Sequence, residues 1–358
     1  MNRMTVLQVC AFAAPSGGNF ITSLTYLENK LKEKGIDTIY AFADGAEDKP
    51  WCKEIMQRTK VYFLPTAKAR ILPKTYQIFR QIYRENDVSV MHSHFELYDM
   101  PATVTAPRHV KVFWHLHDAL MHNFQKTSTG RQILYRMQYG WAGKRATMLT
   151  VSKEHGAFAA ELGFPAQQIT YFPNGINTDR ISPAPLLKNQ NQFLMFGWEV
   201  RRKGVDLVVK AAEKASGDFC IRIVGQTECE KYLADRCTSP KVAFQYPVEN
   251  IGELYASAKA FLHVSRAEGL SYALLEVIYA GIPVICSDIP ENRFAESFRN
   301  VFFVANENVK EVAQKIEELT RWDGQLSEED VRYNREVIRR EYSKEAWANK
   351  LINLYMEC

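Results

Sequence analysis

Short runs rich in β-branched and aromatic residues alternate along the chain with stretches whose apolar positions recur every three or four residues. T-V-L-Q-V-C (5–10) precedes a helical pattern from about Phe20 to Lys34. I-D-T-I-Y-A-F, K-V-Y-F-L, a helix around K-T-Y-Q-I-F-R-Q-I-Y-R-E-N, V-S-V-M-H, V-K-V-F-W-H-L, a helix near 128–142, A-T-M-L-T-V, a helix through K-E-H-G-A-F-A-A-E-L, and Q-I-T-Y-F follow. Strands that alternate with helices predict parallel sheets, because a parallel pair needs a crossover between its members. The pattern breaks over residues 173–192, dense in Pro, Asn and Asp, which reads as an interdomain linker. It restarts with F-L-M-F-G-W, F-C-I-R-I-V-G, K-V-A-F-Q-Y, K-A-F-L-H-V-S, P-V-I-C-S-D and N-V-F-F-V, separated by helices such as G-V-D-L-V-V-K-A-A-E-K-A. The expectation is an α/β chain of two doubly wound domains, 1–180 and 181–338, with ligand crevices at the carboxyl ends of strands. Residues 339–358 hold a last helix, near Lys344 to Met356, with no strand after it; it is expected to pack back on the first domain.

One helix breaks its own pattern. In S-Y-A-L-L-E-V-I-Y-A-G (271–281), Leu274, Val277, Ile278 and Gly281 follow i, i+3, i+4, i+7, and Ala273 and Ala280 widen the apolar band. Glu276 is left to face inward, where an unpaired carboxylate costs several kcal/mol. Either a ligand's hydroxyls satisfy it, or an Arg, Lys or His elsewhere does. The strand before this helix ends at Ser265, and the loop between is Arg266-Ala267-Glu268-Gly269. Gly269 permits close approach of a ligand, and the N–H groups of Leu270 and Ser271 with the helix dipole favour an anion such as a diphosphate.

Other candidates have two readings each. Arg201-Arg202-Lys203 sits after a strand and before a helix, on the ligand side; it is a phosphate site or a solvated charge run. Gly17-Gly18 follows the first strand, where any tight turn favours glycine. His92, His94, His115 and His117 alternate by twos on two strands, the geometry of a metal cluster or of satisfied histidines at a sheet edge; no metal is expected.

Composition narrows the class. With 358 residues, 46% hydrophobic and 24% charged, the chain suits two soluble domains, and no run approaches the roughly 18 apolar residues of a spanning helix. The apolar N-terminal stretch ends in Pro-Ser-Gly-Gly and reads as a buried strand, not a signal peptide. Seven cysteines without a C-x-x-C suggest a reduced, cytoplasmic chain. The net charge of +4 hides an asymmetry: residues 1–185 carry 22 basic and 15 acidic side chains, and 52–153 carry 16 against 6. Such a basic half, with Arg131, Arg136, Lys144 and Arg145 among Tyr135, Tyr139 and Trp141, points to an anionic membrane surface or a phosphorylated acceptor, or else is only a solvated face. No nucleic acid is expected as a partner.

E-G-L-S-Y-A-L-L-E (268–276) followed by A-G-I-P-V-I-C-S-D resembles the E-x7-E signature of retaining glycosyltransferases of family 4, whose GT-B fold has two Rossmann-like domains facing a central cleft. Further segments fall in that family's order. S-G-G-N-F-I-T-S-L-T-Y-L-E-N-K-L-K-E-K-G is similar to its Gly-rich N-terminal loop, V-M-H-S-H to a strand end, and W-H-L-H-D to the segment with its His-Asp pair. Residues 151–183 resemble its V-S, L-G-x-P and P-N-G run, and F-G-W-E-V-R-R-K-G its G-R-x-x-x-x-K-G element.

The resemblance implies roles. Glu268 would hydrogen-bond hydroxyls of a donor sugar, and Glu276 the ribose hydroxyls of its nucleotide. The amides of Gly269, Leu270 and Ser271 would cradle the distal phosphate, and Lys203 would neutralise the diphosphate without a metal or other cofactor. Gly17 and Gly18 would let the first domain's loop approach phosphate or acceptor, and His117 would touch the sugar near its reacting carbon. The implied activity is retaining transfer of a hexose-type sugar from a nucleotide diphosphate sugar to a glycan or lipid-linked acceptor in cell-surface polysaccharide or glycoconjugate synthesis. Trp198 stands where the family commonly has Arg, so Arg201 or, preferably, Arg202 takes over that charge. Tyr246 replaces a usual Gly, and Pro290-Glu291 lacks the preceding glycines. These departures keep a non-catalytic partner or glycan-binding subunit open as the alternative.

Overall fold

The computed structural model describes residues 4–181, 191–248, 250–322 and 326–357; residues 182–190 of the expected linker lie outside them. The chain divides into two compact units, 1–175 with 344–358, and 176–343.

The first unit is built on seven parallel strands: β1 Thr5–Cys10, β2 Asp37–Ala43, β3 Val61–Leu64, β4 Val88–His94, β5 Lys111–Leu116, β6 Ala146–Thr150 and β7 Ile169–Tyr171. Their order is β3-β2-β1-β4-β5-β6-β7. Period-two alternation sends Leu7 and Val9 to one face of β1 and Val6 and Cys10 to the other, and both faces are buried in apolar cores. That explains why the strands read as unbroken apolar runs. The last helix, Lys344–Met356, belongs to this unit: Trp347, Leu351, Ile352 and Tyr355 pack with Leu24, Leu27 and Leu31 of the helix Gly18–Glu33.

The second unit has six parallel strands, β8 Gln192–Phe196, β9 Cys220–Val224, β10 Val242–Gln245, β11 Ala260–His263, β12 Val284–Asp288 and β13 Val301–Ala305, in the order β10-β9-β8-β11-β12-β13. Strand order reverses between β1 and β4 and between β8 and β11, the places where open α/β sheets bind ligands.

The unit boundaries correct the sequence expectation at both ends of the second domain. The Ile176 N–H donates to the Tyr342 carbonyl at 2.7 Å, Ile176 pairs with Ser343, and Arg180 reaches Glu276. Residues 176–180 and 339–343 therefore belong to the second unit. Among the described residues no helix is long and apolar enough to cross a membrane.

Candidate active site

In the second unit, the loops leaving β8 and β11 carry the chemistry to the reversal point. Gly204 begins the helix Val205–Lys214 with φ +77°, and a Cβ there would lie 2.3 Å from the Val264 carbonyl oxygen. Glycine is thus demanded both by the left-handed backbone and by close approach of the neighbouring loop. The Arg266 N–H donates to the Arg202 carbonyl at 2.8 Å, and the Arg266 guanidinium grips Asp206 at 2.7 and 2.9 Å and Glu307 at 2.6 Å. Gly204→Ala is expected to cost at least ~2 kcal/mol of stability, from left-handed strain plus displacement of that loop. Urea denaturation checks this, and a variant as stable as the parent would remove the argument.

Stitched in this way, the loops place Lys203 Nζ 2.6 Å from Glu268 Oε1 and Arg202 Nη1 3.2 Å from Oε2. Glu268 is only 4% exposed. Burial alone would raise its pKa, but Lys203, His263 and Arg202 outweigh it and pull the carboxyl down to about 2. His263 lies behind, its Nε2 3.9 Å from Oε1. Burial, aided by the neighbouring cations, holds its pKa near 4 despite the carboxylate, so the imidazole is neutral at pH 7. The two arginines separate cleanly: Arg202 faces Glu268, whereas the Arg201 side chain is 80% exposed and pairs with Asp206 at 3.5 Å.

The helix Tyr272–Ala280 starts where Ser271 Oγ accepts the Leu274 N–H at 3.3 Å and stops at Gly281, φ +85°. The main-chain N–H groups of Gly269, Leu270 and Ser271 donate to no group among the described residues, although all three residues are buried. Glu276 is 2% exposed, as its position in the apolar band requires. Of its two sequence readings, the structure displays a partner: Oε1 accepts Arg180 Nε at 2.9 Å and also Nη2, and Oε2 accepts the Tyr255 hydroxyl at 2.6 Å. Neither Arg180 nor Tyr255 was marked by the sequence.

Gly17, Gly18 and His117 lie in the first unit, while Glu268, Lys203, Arg202, Gly269, Leu270, Ser271 and Glu276 lie in the second. Gly18 has φ +52° at the start of its helix, so the turn itself explains this glycine. His117 is buried between Asn174 Oδ1 and His94 Nδ1, each 2.8 Å from a ring nitrogen. The series continues from His94 Nε2 to Gln8 Oε1 at 2.9 Å, from Gln8 Nε2 to the Tyr355 hydroxyl at 3.2 Å, and on to His92 Nδ1 at 2.5 Å. Burial drives His92, His94 and His115 far below the ordinary imidazole pKa and His117 to about 3. One ring nitrogen from each of His92, His94 and His115 lies within 4.8 Å of the others. Both nitrogens of His94 and Nδ1 of His92 are, however, already engaged by His117, Gln8 and Tyr355.

Directly after β4, Phe95 and Glu96 adopt φ +65° and +50°, a strained corner the sequence does not announce. Arg70 Nη2 holds the Glu96 carbonyl at 3.1 Å, and the Tyr139 hydroxyl donates to Glu96 Oε1 at 2.6 Å. The same bond corrects the expected surface patch: Tyr139 is buried, and Arg145 is occupied by the carbonyls of Ala106 and Pro107 at 2.9 Å.

Two family models match the chain, "Glycosyltransferase Family 4" over residues 22–180 and "Glycosyl transferases group 1" over 190–321. The chain belongs to the family 4 glycosyltransferases, and its two parallel-sheet units are those of the GT-B fold. It is 27% identical over 150 residues to the alpha-galactosylglucosyldiacylglycerol synthase of Streptococcus pneumoniae, covering 36% of this chain and 40% of that one. This and the other matched curated relatives are spanned over less than half their length. A glycosyltransferase from Rickettsia africae superposes with TM-score 0.79 at 17% identity, over 100% of this chain and 99% of that one. The Anabaena protein HepE, solved in complex with UDP and glucose, gives 0.77 at 15% identity, over 99% and 100%. At such identities the likeness is one of fold.

Proposed function

We propose that the chain is a retaining glycosyltransferase that moves a hexose-type sugar from a nucleotide diphosphate sugar to a glycan or lipid-linked acceptor, in the cytoplasm, for cell-surface polysaccharide or glycoconjugate synthesis. The observation that carries this reading is the buried Glu268–Lys203–Arg202 cluster beside three amides that donate to no group of the described chain, all at the β8/β11 reversal.

The reaction breaks the bond from the anomeric carbon to the distal phosphate oxygen and forms one to an acceptor hydroxyl oxygen on the same face. Negative charge grows on the departing phosphate, where Lys203, Arg202 and the amides of Gly269, Leu270 and Ser271 stabilise it more in the transition state than in the bound donor. The acceptor's proton passes to that phosphate, so no protein nucleophile is required. Glu268, ionised, accepts hydroxyls of the sugar, and Glu276 those of the ribose, sharing its oxygens with Arg180 and Tyr255. The two cations supply the positive charge that a metal ion would otherwise bring.

Isothermal calorimetry and thermal shift over UDP, GDP, ADP and their sugars test this, since binding to the folded state raises the melting point. One nucleotide series is expected to bind, with Glu276→Ala weakening it at least ~10-fold, the loss of a charged hydrogen bond. Absence of binding, or an unaffected Glu276→Ala variant, would overturn the reading. Trp198, in place of the family's arginine and packed only on Phe196 among the aromatic rings described, favours a second reading as a glycan-binding partner. Donor turnover that Lys203→Ala abolishes would exclude it.

A further inference from the structure

We infer that the helix Thr129–Ala142 docks its outer face onto an anionic lipid surface, a partner that the donor chemistry above neither requires nor implies. Ile133, Met137 and Trp141 follow i, i+4, i+8 and are 56%, 66% and 62% exposed; Leu134 lies beside them. Apolar side chains of this size, contiguous along one stripe, are unusual on a chain that keeps its apolar residues inside. The opposite side of the helix is fully used, with Gln138, Tyr139 and Ala142 buried. Hence the stripe is not a poorly packed core face. Arg70 braces the inner side of the helix, its guanidinium 4.8 Å from the Tyr135 ring, and the next residue, Ile71, is 70% exposed.

Charge selects the occupant. On a helical wheel of 100° per residue, Ile133, Met137, Trp141 and Leu134 fill one 100° sector, and Arg131 and Arg136 border it on either side. Lys126 and Lys144, both exposed, stand at the two ends. From Ala119 to Lys153 the chain has six basic residues and no acidic one, and from Ile55 to Arg84, the segment with Ile71, seven and none. A protein interface would be expected to alternate signs. An apolar stripe with a tryptophan, bordered on its own helix by cations, with Glu161 met only where its carbonyl accepts from Arg136 Nη1 at 3.0 Å, matches the boundary between anionic headgroups and acyl chains.

The helix is also tied to chemistry. Tyr139, on its inner side, holds Glu96 in the strained corner that follows β4, two residues beyond His94, which in turn bonds His117.

Co-sedimentation of the full chain with vesicles tests this. Vesicles of phosphatidylcholine containing about a third phosphatidylglycerol are expected to bind it at least ~10-fold more tightly than phosphatidylcholine alone, with the difference shrinking as salt rises. The triple variant Ile133→Ser, Met137→Ser, Trp141→Ser and, separately, Arg131→Glu with Lys144→Glu are each expected to lose at least ~10-fold of that binding. Unchanged circular dichroism and melting point show that the variants are folded. Binding equal on both vesicle types, or unaffected by the triple variant, would overturn the inference. So would a dimer in sedimentation equilibrium that the triple variant disperses, because a second copy would then cover the stripe. Nucleotide binding measured without vesicles is expected to be the same for parent and variants, which separates a failure here from a failure of the donor reading.

Discussion

Lys203→Ala is expected to reduce kcat/KM for sugar transfer by ~10²–10³-fold, the scale on which a single preorganised charge stabiliser acts. Lys203 is the nearest cation to Glu268, at 2.6 Å, and the first of the groups that hold that carboxyl ionised. Its removal takes charge from the leaving phosphate and leaves a nearly buried carboxylate undercompensated, so the variant is also expected to lose ~3–5 kcal/mol of stability. Two companion variants separate these effects. Lys203→Arg keeps the charge and is expected to hold stability while losing part of the rate. Glu268→Gln keeps the shape but removes the anion that occupies both cations; it is expected to lower turnover while nucleoside diphosphate binds as tightly as before or more so. Stopped assays with single-turnover controls, read beside calorimetry, distinguish the outcomes. A Glu268→Gln enzyme with normal turnover would reduce the cluster to a structural ion pair.

What could be read from the sequence follows from how local each signal is. The strands were legible because both sheet faces are covered and Val6, Leu7, Val9 and Cys10 are all apolar. The helix Glu328–Glu341 escaped notice because only Asn334 and Ile338 are buried in it, too few to set a period, although Ser327 with three acids behind it forms a recognisable cap. Leu120–Gln125 is a six-residue helix, shorter than any periodic window resolves. In the site, Glu276 was conspicuous because an acid interrupts an apolar stripe, a property of nine adjacent residues. Its partners lie 96 and 21 positions away, and only the fold brings them together. Choosing Arg202 over Arg201 likewise depends on which way the turn before Gly204 aims each side chain. For Tyr139 the surroundings in sequence were basic and misleading; its hydroxyl is committed inward to Glu96.

Between pH 6.5 and 5 the protein is expected to lose most of its folding stability, because its buried histidines cannot take up protons without water or partners. Five of them, His92, His94, His115, His117 and His263, are held neutral chiefly by burial, with His263 near 4 and His117 near 3. In the unfolded chain each protonates near 6.5, so below that pH the unfolded state binds more protons and stability falls by about 1.4 kcal/mol per unit for each group. Two carboxyls act in the opposite sense. Burial raises Asp99 to about 7 and also raises Glu96, so these bind protons in the folded state first and gain stability as pH falls. Five histidines against Asp99 leave four groups, offset further as Glu96 takes up its proton, a net loss on the order of 4–5 kcal/mol per pH unit, comparable over about 1.5 units to the total stability of an ordinary domain. Urea denaturation from pH 8 to 5 measures it, and a midpoint that does not move between pH 7 and 5 would contradict the neutral histidine stack. Asp99→Asn isolates the opposing part: its amide oxygen can still accept the Ser93 hydroxyl, which now donates to Asp99 Oδ1 at 2.5 Å. At pH 8 this variant is expected to be more stable than the parent, which carries a buried carboxylate there. The advantage must shrink steadily toward pH 4, where both forms are neutral, so the variant's loss of stability on acidification is the steeper of the two.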